Sequence, residues 1–360
     1  MIKIEYLSKS FNKKNVINNL NFDVEKNEIV ALLGPNGSGK TTLLNIIAGL
    51  QYPDSGNIYL NNTMVNGTNK TKKIYVKPFK RQIGYVFQTV SLFPHMKIQD
   101  NIAYGLKSLH LSNAEIKKRT NTLIEFVDLT RYAQNYPHQL SGGQQQRAAL
   151  ARSLVTEPQI LLLDEPVSAV DPQLKETFRM ELKKYLQNLE ITTLYVTHNI
   201  NEAFMMADKI AVMGNGHIEQ IGDRNEIFDK TRSTFVAKFL GLNIFEGKAI
   251  KEQDNLLLVE INELQLLTTL NPSLAGKNVT ITIKPEDIKL STEKPSNIKY
   301  NIIPGVLTEI IQTRSITQIT IDIGFPIKAI IAFSEIKQLN ITVGDRIYTY
   351  FNPSILNVFS

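Results

Sequence analysis

A mostly parallel α/β domain followed by a small all-β domain is the fold class this 360-residue sequence predicts. Three observations predict it. Up to about residue 240, short apolar strands alternate with helical stretches, the pattern of βαβ units. From about Asn243 onward, short Ile/Val/Thr-rich runs with period-two alternation, such as 279–283 and 319–323, are separated by Gly, Pro and Asn. The length suits two domains at roughly 150 residues each. Between the halves, residues 235–241 read as a helix closed by Gly241, which places the boundary just after it: 1–241 and 242–360.

Composition excludes more than it assigns. With 42% hydrophobic and 21% charged residues, the chain is neither disordered nor fibrous. The absence of cysteine excludes a disulfide framework, Cys-ligated zinc, iron–sulfur clusters and a thiol nucleophile. The net charge of +6 suits phosphate-bearing ligands, nucleic acid or a membrane surface and does not separate them. The first residues alternate like a strand and lack a signal-peptide core, and no run of about 18 apolar residues occurs, so a cytosolic chain is expected unless a partner holds it at a membrane. No fixed-period repeat is present, and the Lys/Asn-rich stretch 61–73 reads as a solvated turn.

Within the first half, Gly34, Pro35, Asn36, Gly37, Ser38, Gly39, Lys40 and Thr41 fit G-x-x-x-x-G-K-[ST] at every fixed position. Apolar residues 29–33 precede them as a buried strand, and 42–48 follow as a helix ending at Gly49. Glycines let backbone N–H groups close around phosphates, and the helix N-terminus favours negative charge. Lys40 is placed to bridge β- and γ-phosphates, and the Thr41 hydroxyl to bind Mg²⁺. A chance glycine-rich turn is the bland alternative, and the flanking strand and helix argue against it.

A second strand, 159–164, runs straight into Asp164, Glu165 and Pro166. In a parallel sheet this strand end lies beside the phosphate loop, where Asp164 can hold Mg²⁺ and Glu165 can polarise the attacking water. Taken alone, the acidic pair could equally cap a helix.

Leu140, Ser141, Gly142, Gly143, Gln144, Gln145, Gln146 and Arg147 closely resemble the signature motif of the ATP-binding cassette (ABC) ATPases. Gln88 after Val86 and Phe87, the run 168–171 ending in Asp171, and His198 after Val196 and Thr197 are similar to that family's remaining marks, and Phe11 sits where the family places an aromatic against adenine. The resemblance implies ATP and Mg²⁺ as cofactors. It implies Phe11, the loop 34–41, Thr42, Gln88, Ser141, Gly142, Gly143, Gln144, Asp164 and Asp171 as nucleotide contacts, with Thr41, Gln88 and Asp164 as metal ligands. Glu165 becomes the general base, His198 positions the γ-phosphate, Lys40 and Gln88 join the catalytic set, and a helical subdomain covers about 88–155. In the family, Ser141 and Gly143 face ATP held by a second subunit, so a head-to-tail homodimer is implied.

The task is also read from resemblance. About 100 residues separate Lys40 from Ser141, which leaves no room for the coiled coil of repair-type cassettes, and one cassette is present rather than the two of translation factors. The stretch 89–96 resembles the importer segment that receives a permease helix, though Leu92, Phe93 and Met96 could be ordinary packing residues; 200–208 and 214–222 also look like importers. Lys284, Pro285, Glu286, Asp287 and Ile288 resemble an element of the small regulatory barrel (OB-like, TOBE type) that follows importer cassettes, and 329–332, 343–345 and 350–358 resemble the end of molybdate and tungstate importer ATPases. The implied partners are a second copy, membrane permease subunits, an extracytoplasmic binding protein indirectly, and a regulatory oxyanion at the C-terminal domain. The implied location is the cytoplasmic face of the membrane. Sulfate, ferric iron, polyamine or a sugar are the rival cargoes. Two other readings are a nucleic-acid ATPase, disfavoured because no aromatic-interleaved basic stripe is present, and an oxyanion sensor that uses the cassette only to dimerise. Two departures from the family stand out: Asn199 replaces the Asp that usually follows the histidine, and Lys284 replaces an Arg, losing a bidentate fork.

Overall fold

A computed structural model describes residues 1–69, 72–253, 256–269, 271–296, 301–313 and 316–360. The chain divides into two compact units, Met1–Arg224 and Asn225–Ser360.

The first unit contains the expected parallel sheet. Its six strands lie in the order His217–Gly222, Lys209–Gly214, Ile29–Leu33, Thr192–Thr197, Ile160–Asp164 and Ile83–Val86. All neighbours are parallel except the terminal hairpin Lys209–Gly214/His217–Gly222. Every residue of the three central strands is buried, the condition that makes parallel strands read as apolar runs. Their side chains alternate between two cores. Val30, Leu32, Leu162 and Leu194 pack with Leu43 and Ile47 of the helix Lys40–Ala48, whereas Ile29, Leu161, Leu163 and Tyr195 face a core built with Ile102, Leu123, Leu150 and Leu182. Leu33 pairs with Thr197 and Asp164 with Val196, so the three strands end level, at the edge where open α/β sheets bind ligands.

The sequence reading did not anticipate a second, antiparallel sheet in this unit, ordered Lys14–Val24, Ile2–Phe11, Ser55–Leu60, Thr63–Asn69 and Lys72–Tyr75. Its last two strands replace the solvated turn expected over 61–73. Val65 is buried there and its carbonyl accepts from Val76 N–H, while Lys72 and Lys73 stay exposed, so one face of a polar-looking stretch is a sheet face. Residues 70 and 71 of that stretch lie outside the described residues. Helices Ile98–Ala103, Asn113–Phe126 and Gly142–Leu154 occupy the span expected for the helical subdomain. Among the described residues no helix is long and apolar enough to cross a membrane.

The second unit opens inside the helix Arg224–Asp229, at Asn225, adds the helix Thr234–Phe239 and continues as two antiparallel five-stranded sheets. One has the order Leu264–Thr269, Leu256–Ile261, Asn243–Gln253, Asn278–Ile283, Asn357–Phe359; the other Lys289–Ser291, Arg346–Phe351, Asn301–Gln312, Ile316–Asp322, Pro326–Ala332. Both feed one core, in which Phe245, Val259 and Ile281 meet Leu307, Ile319 and Ile347. The structural division thus falls at Arg224, not at Gly241. Asn357 donates to the Thr231 carbonyl at 2.7 Å and Lys284 pairs with Asp229, which ties the segment before Gly241 to the β-rich unit. Gly241, at φ 73°, closes a helix and does not mark the end of a domain.

Candidate active site

The strand Ile29–Leu33 delivers the chain into a loop that other residues could not form. Gly37 and Gly39 adopt φ 79° and 105°, in the left-handed region. A Cβ on Gly39 would lie 2.8 Å from the Val16 carbonyl, and one on Gly34 would run into the Met213 carbonyl. Lys40 begins the helix Lys40–Ala48, and its Nζ donates to the Gly34 and Pro35 carbonyls, both at 2.8 Å. The ammonium therefore holds the loop in a ring around the helix N-terminus. Burial lowers the pKa of Lys40, and the carboxylates of Glu165 and Asp164 oppose that shift.

Asp164, the last residue of its strand, is 2% exposed. Burial pushes its carboxyl pKa up, against the hydrogen bond from Thr41 and the charge of Lys40. Glu165 follows with φ 48°, a conformation rare for a non-glycine residue, fixed by its N–H donating to the Val196 carbonyl at 3.0 Å. That turn aims its carboxylate at two partners: His198 Nδ1 lies 2.8 Å from Oε1, and Gln88 Nε2 donates to Oε2 at 3.3 Å. Phe11, Asn36, Gly37, Gly39, Lys40, Thr41, Thr42, Gln88, Asp164 and Glu165 line one cavity of about 370 Å³. The Phe11 ring is 40% exposed and carries the Lys9 ammonium 5.2 Å from its centroid.

The donors fit a nucleotide triphosphate. Glycine-framed backbone, one ammonium and a helix N-terminus meet phosphates, an exposed ring offers a base platform, and hydroxyl, amide and carboxylate oxygens from Thr41, Gln88 and Asp164 suit a hard cation that shares phosphate oxygens.

Other predicted residues lie elsewhere. Ser141, Gly142, Gly143 and Gln144 do not line this cavity; they start the helix Gly142–Leu154 with a capping box, Ser141 Oγ accepting from Gln144 N–H at 3.3 Å and Gln144 Oε1 from Ser141 N–H at 2.9 Å. Asp171 likewise caps the helix Pro172–Asn188 by accepting from Gln173 N–H. Ser38 is buried within the loop. Asn199 does the capping work of an aspartate, its Oδ1 accepting from Glu202 N–H at 3.1 Å. Lys284 keeps an ion pair, with Asp229, and lies over the Phe228 ring.

Sequence reasoning missed three groups. Val16 lines the cavity and backs Gly39. Gln146, 1% exposed, hydrogen-bonds the backbone around Glu165. A buried cluster stands behind His198: Arg179 pairs with Glu202, which also accepts from the Thr197 hydroxyl at 2.6 Å and the Tyr195 hydroxyl at 3.5 Å. The sequence did hold one signal for that cluster: Arg179 stands three and seven residues before Leu182 and Leu186, in line with the apolar face of its helix.

This fold and cavity define a P-loop nucleotide-hydrolysing enzyme. The sequence model of the ABC transporter family matches residues 17–168. The chain is 38% identical, over 100% of both chains, to the molybdate/tungstate import ATP-binding protein WtpC of Pyrococcus abyssi. It is 41% identical over 312 residues, 86% of this chain and 80% of the relative, to the spermidine/putrescine import ATP-binding protein PotA of Vibrio vulnificus. It is also 37% identical to the sulfate/thiosulfate import ATP-binding protein CysA of Bacillus cereus, over 99% of this chain and 98% of the relative. Among solved structures it resembles the dimeric post-hydrolysis state of the ATP-binding cassette MJ0796 bound to ADP and Pi, at 32% identity and a TM-score of 0.56, covering 62% of this chain and 98% of that one. The chain belongs to the ABC transporter family, among its import ATP-binding proteins, and it binds and hydrolyses ATP.

Proposed function

We propose that this chain is the ATP-hydrolysing subunit of a molybdate or tungstate importer, working as a head-to-tail homodimer on the cytoplasmic face of the membrane. One observation carries the catalytic part: Lys40, Thr41, Gln88, Asp164 and Glu165 converge on one cavity at the level ends of three parallel strands, and His198, outside that lining, touches Glu165 from the neighbouring cleft. In this reading the loop amides and Lys40 bind the β- and γ-phosphates, and Phe11 stacks on the base. Thr41, Gln88 and Asp164 hold Mg²⁺, which neutralises charge on the phosphates when bound. Glu165 accepts the proton of the attacking water, and His198, touching Glu165, orients the γ-phosphate and the base together.

Ser141, Gly142, Gly143 and Gln144 complete the site of a second copy, as does Asp171; the dimeric MJ0796 cassette supports this arrangement. Permease subunits carry the substrate and an extracytoplasmic binding protein supplies it. The C-terminal unit is the regulatory TOBE-type barrel, its two sheets around one core, and senses the oxyanion. The cargo rests on the full-length match to the Pyrococcus abyssi protein; the polyamine and sulfate relatives make those cargoes the alternatives. Co-purification of the complex with mass spectrometry, followed by ATPase assays with molybdate, spermidine or sulfate and the captured binding protein, tests it. Stimulation by molybdate-loaded binding protein is expected; stimulation only by a polyamine or sulfate protein overturns the cargo and leaves the ATPase reading intact.

A further inference from the structure

The helix Gly142–Leu154 and the turn that carries Glu165 are fastened to each other at two points. Gln146 reaches from the helix with its amide fully engaged: Nε2 donates to the Glu165 carbonyl at 2.9 Å and to Ser168 Oγ at 3.1 Å, and Oε1 accepts from Ala169 N–H at 2.8 Å. One turn earlier, a Cβ on Gly143 would stand 2.7 Å from the Ala169 carbonyl and 3.2 Å from Val170 Cα, so the helix backbone rests directly on the same segment. Positions 143 and 146 share a helix face. Gln146 is 1% exposed, and its amide exceeds the needs of a packing residue, since an apolar side chain of the same size would take a hydrogen-bond partner from three polar groups on the turn.

The fastened turn is also the strained one. Glu165 sits at φ 48°, and its carbonyl accepts from Ser168 N–H at 3.2 Å as well as from Gln146. Displacing the helix by a fraction of an ångström therefore displaces the Glu165 backbone, and with it the carboxylate held by His198 and Gln88. The two ends of this connection serve different ATP molecules if Ser141 and Gly143 complete a second copy's site.

We propose that Gln146 is a positioning residue that couples the two sites: closure of the helix N-terminus on the second copy's nucleotide sets the geometry of this chain's own general base. The inference rests on the reading of Glu165 as base and of Ser141 as a contact to the other subunit's ATP. Coupling of this kind appears as positive cooperativity in ATP.

The test is steady-state ATPase activity of the full chain against ATP concentration, with nucleotide affinity measured separately by a fluorescent ATP analogue. Q146L is expected to bind nucleotide within about twofold of the parent, to lose at least about tenfold in kcat, which corresponds to about 1.4 kcal/mol, and to drop from a Hill coefficient above 1 to 1. If Q146L does not fold, S168A, which removes one of the three bonds, is expected to lower the Hill coefficient with the affinity kept. A parent without cooperativity, or a folded variant that retains the parent's Hill coefficient whatever its rate, overturns the coupling. Hydrolysis by an E165Q chain at the parent rate would instead overturn the underlying reading of the base.

Discussion

Replacing Glu202 with Leu isolates the buried cluster behind His198. Arg179 and Glu202 are each only 9% exposed at the side chain, and Arg179 Nε has no hydrogen-bond partner among the described residues, so Glu202 is the principal compensation for that guanidinium. Removing one partner of such a pair costs about 3–5 kcal/mol, because the other charge stays buried. The Thr197 hydroxyl, 2.6 Å from Glu202 Oε2, loses its acceptor at the same time, for about 1 kcal/mol more. The double replacement R179M/E202L removes both charges and is expected to fall within about 2 kcal/mol of the parent. Urea unfolding followed by far-ultraviolet circular dichroism reads these differences in the transition of the first unit. Thr197 immediately precedes His198, so E202L also lowers the hydrolysis rate in protein that remains folded. A single replacement costing under about 1 kcal/mol, or a double replacement as damaging as the single, would refute the idea that Arg179 depends on Glu202.

Two further outcomes follow from local geometry. Gly49 ends the helix Lys40–Ala48 at φ 75°, and a Cβ there would stand 2.5 Å from Arg81 Nε, while Arg81 Nη1 caps the Ile46 and Ile47 carbonyls at 2.9 and 2.6 Å; G49A should therefore cost about 1–3 kcal/mol by chemical denaturation, with a matching loss of nucleotide affinity. Asp164, whose pKa is raised by burial, keeps its proton in the folded protein above the ordinary carboxylate value, so without nucleotide or metal the parent loses stability as pH rises from that value through the raised one. D164N lacks this titration: its melting temperature should gain on the parent's across that window and hold a constant margin above it, and a margin independent of pH from 4 to 8 would contradict the burial argument.

The parts of the site that were legible in sequence are those where backbone and side chain are both constrained. Gly37, Gly39 and Lys40 are recognisable because few other residues permit the loop, and the buried strands before Gly34 and Glu165 announce themselves as apolar runs. Gln146 was hidden among three consecutive glutamines, which the fold assigns to three tasks: Gln144 closes the capping box, Gln145 donates to the Pro137 and Leu140 carbonyls, and Gln146 holds the Glu165 turn. Arg179 and Glu202 are 23 residues apart and meet only when two helices pack against one strand. The stretch 61–73 misled because its polar face outnumbers its single buried valine. The boundary misled because a glycine-closed helix looks the same within a domain as at its end.

The role proposed for Glu165, held by His198 and Gln88 beside the phosphate loop, is to take the proton of the attacking water. Comparing ATP hydrolysis by the parent and by E165Q, with nucleotide binding measured alongside, tests it most directly. E165Q is expected to retain binding and to hydrolyse ATP at least about a hundredfold more slowly; hydrolysis at the parent rate would remove Glu165 from the role of base.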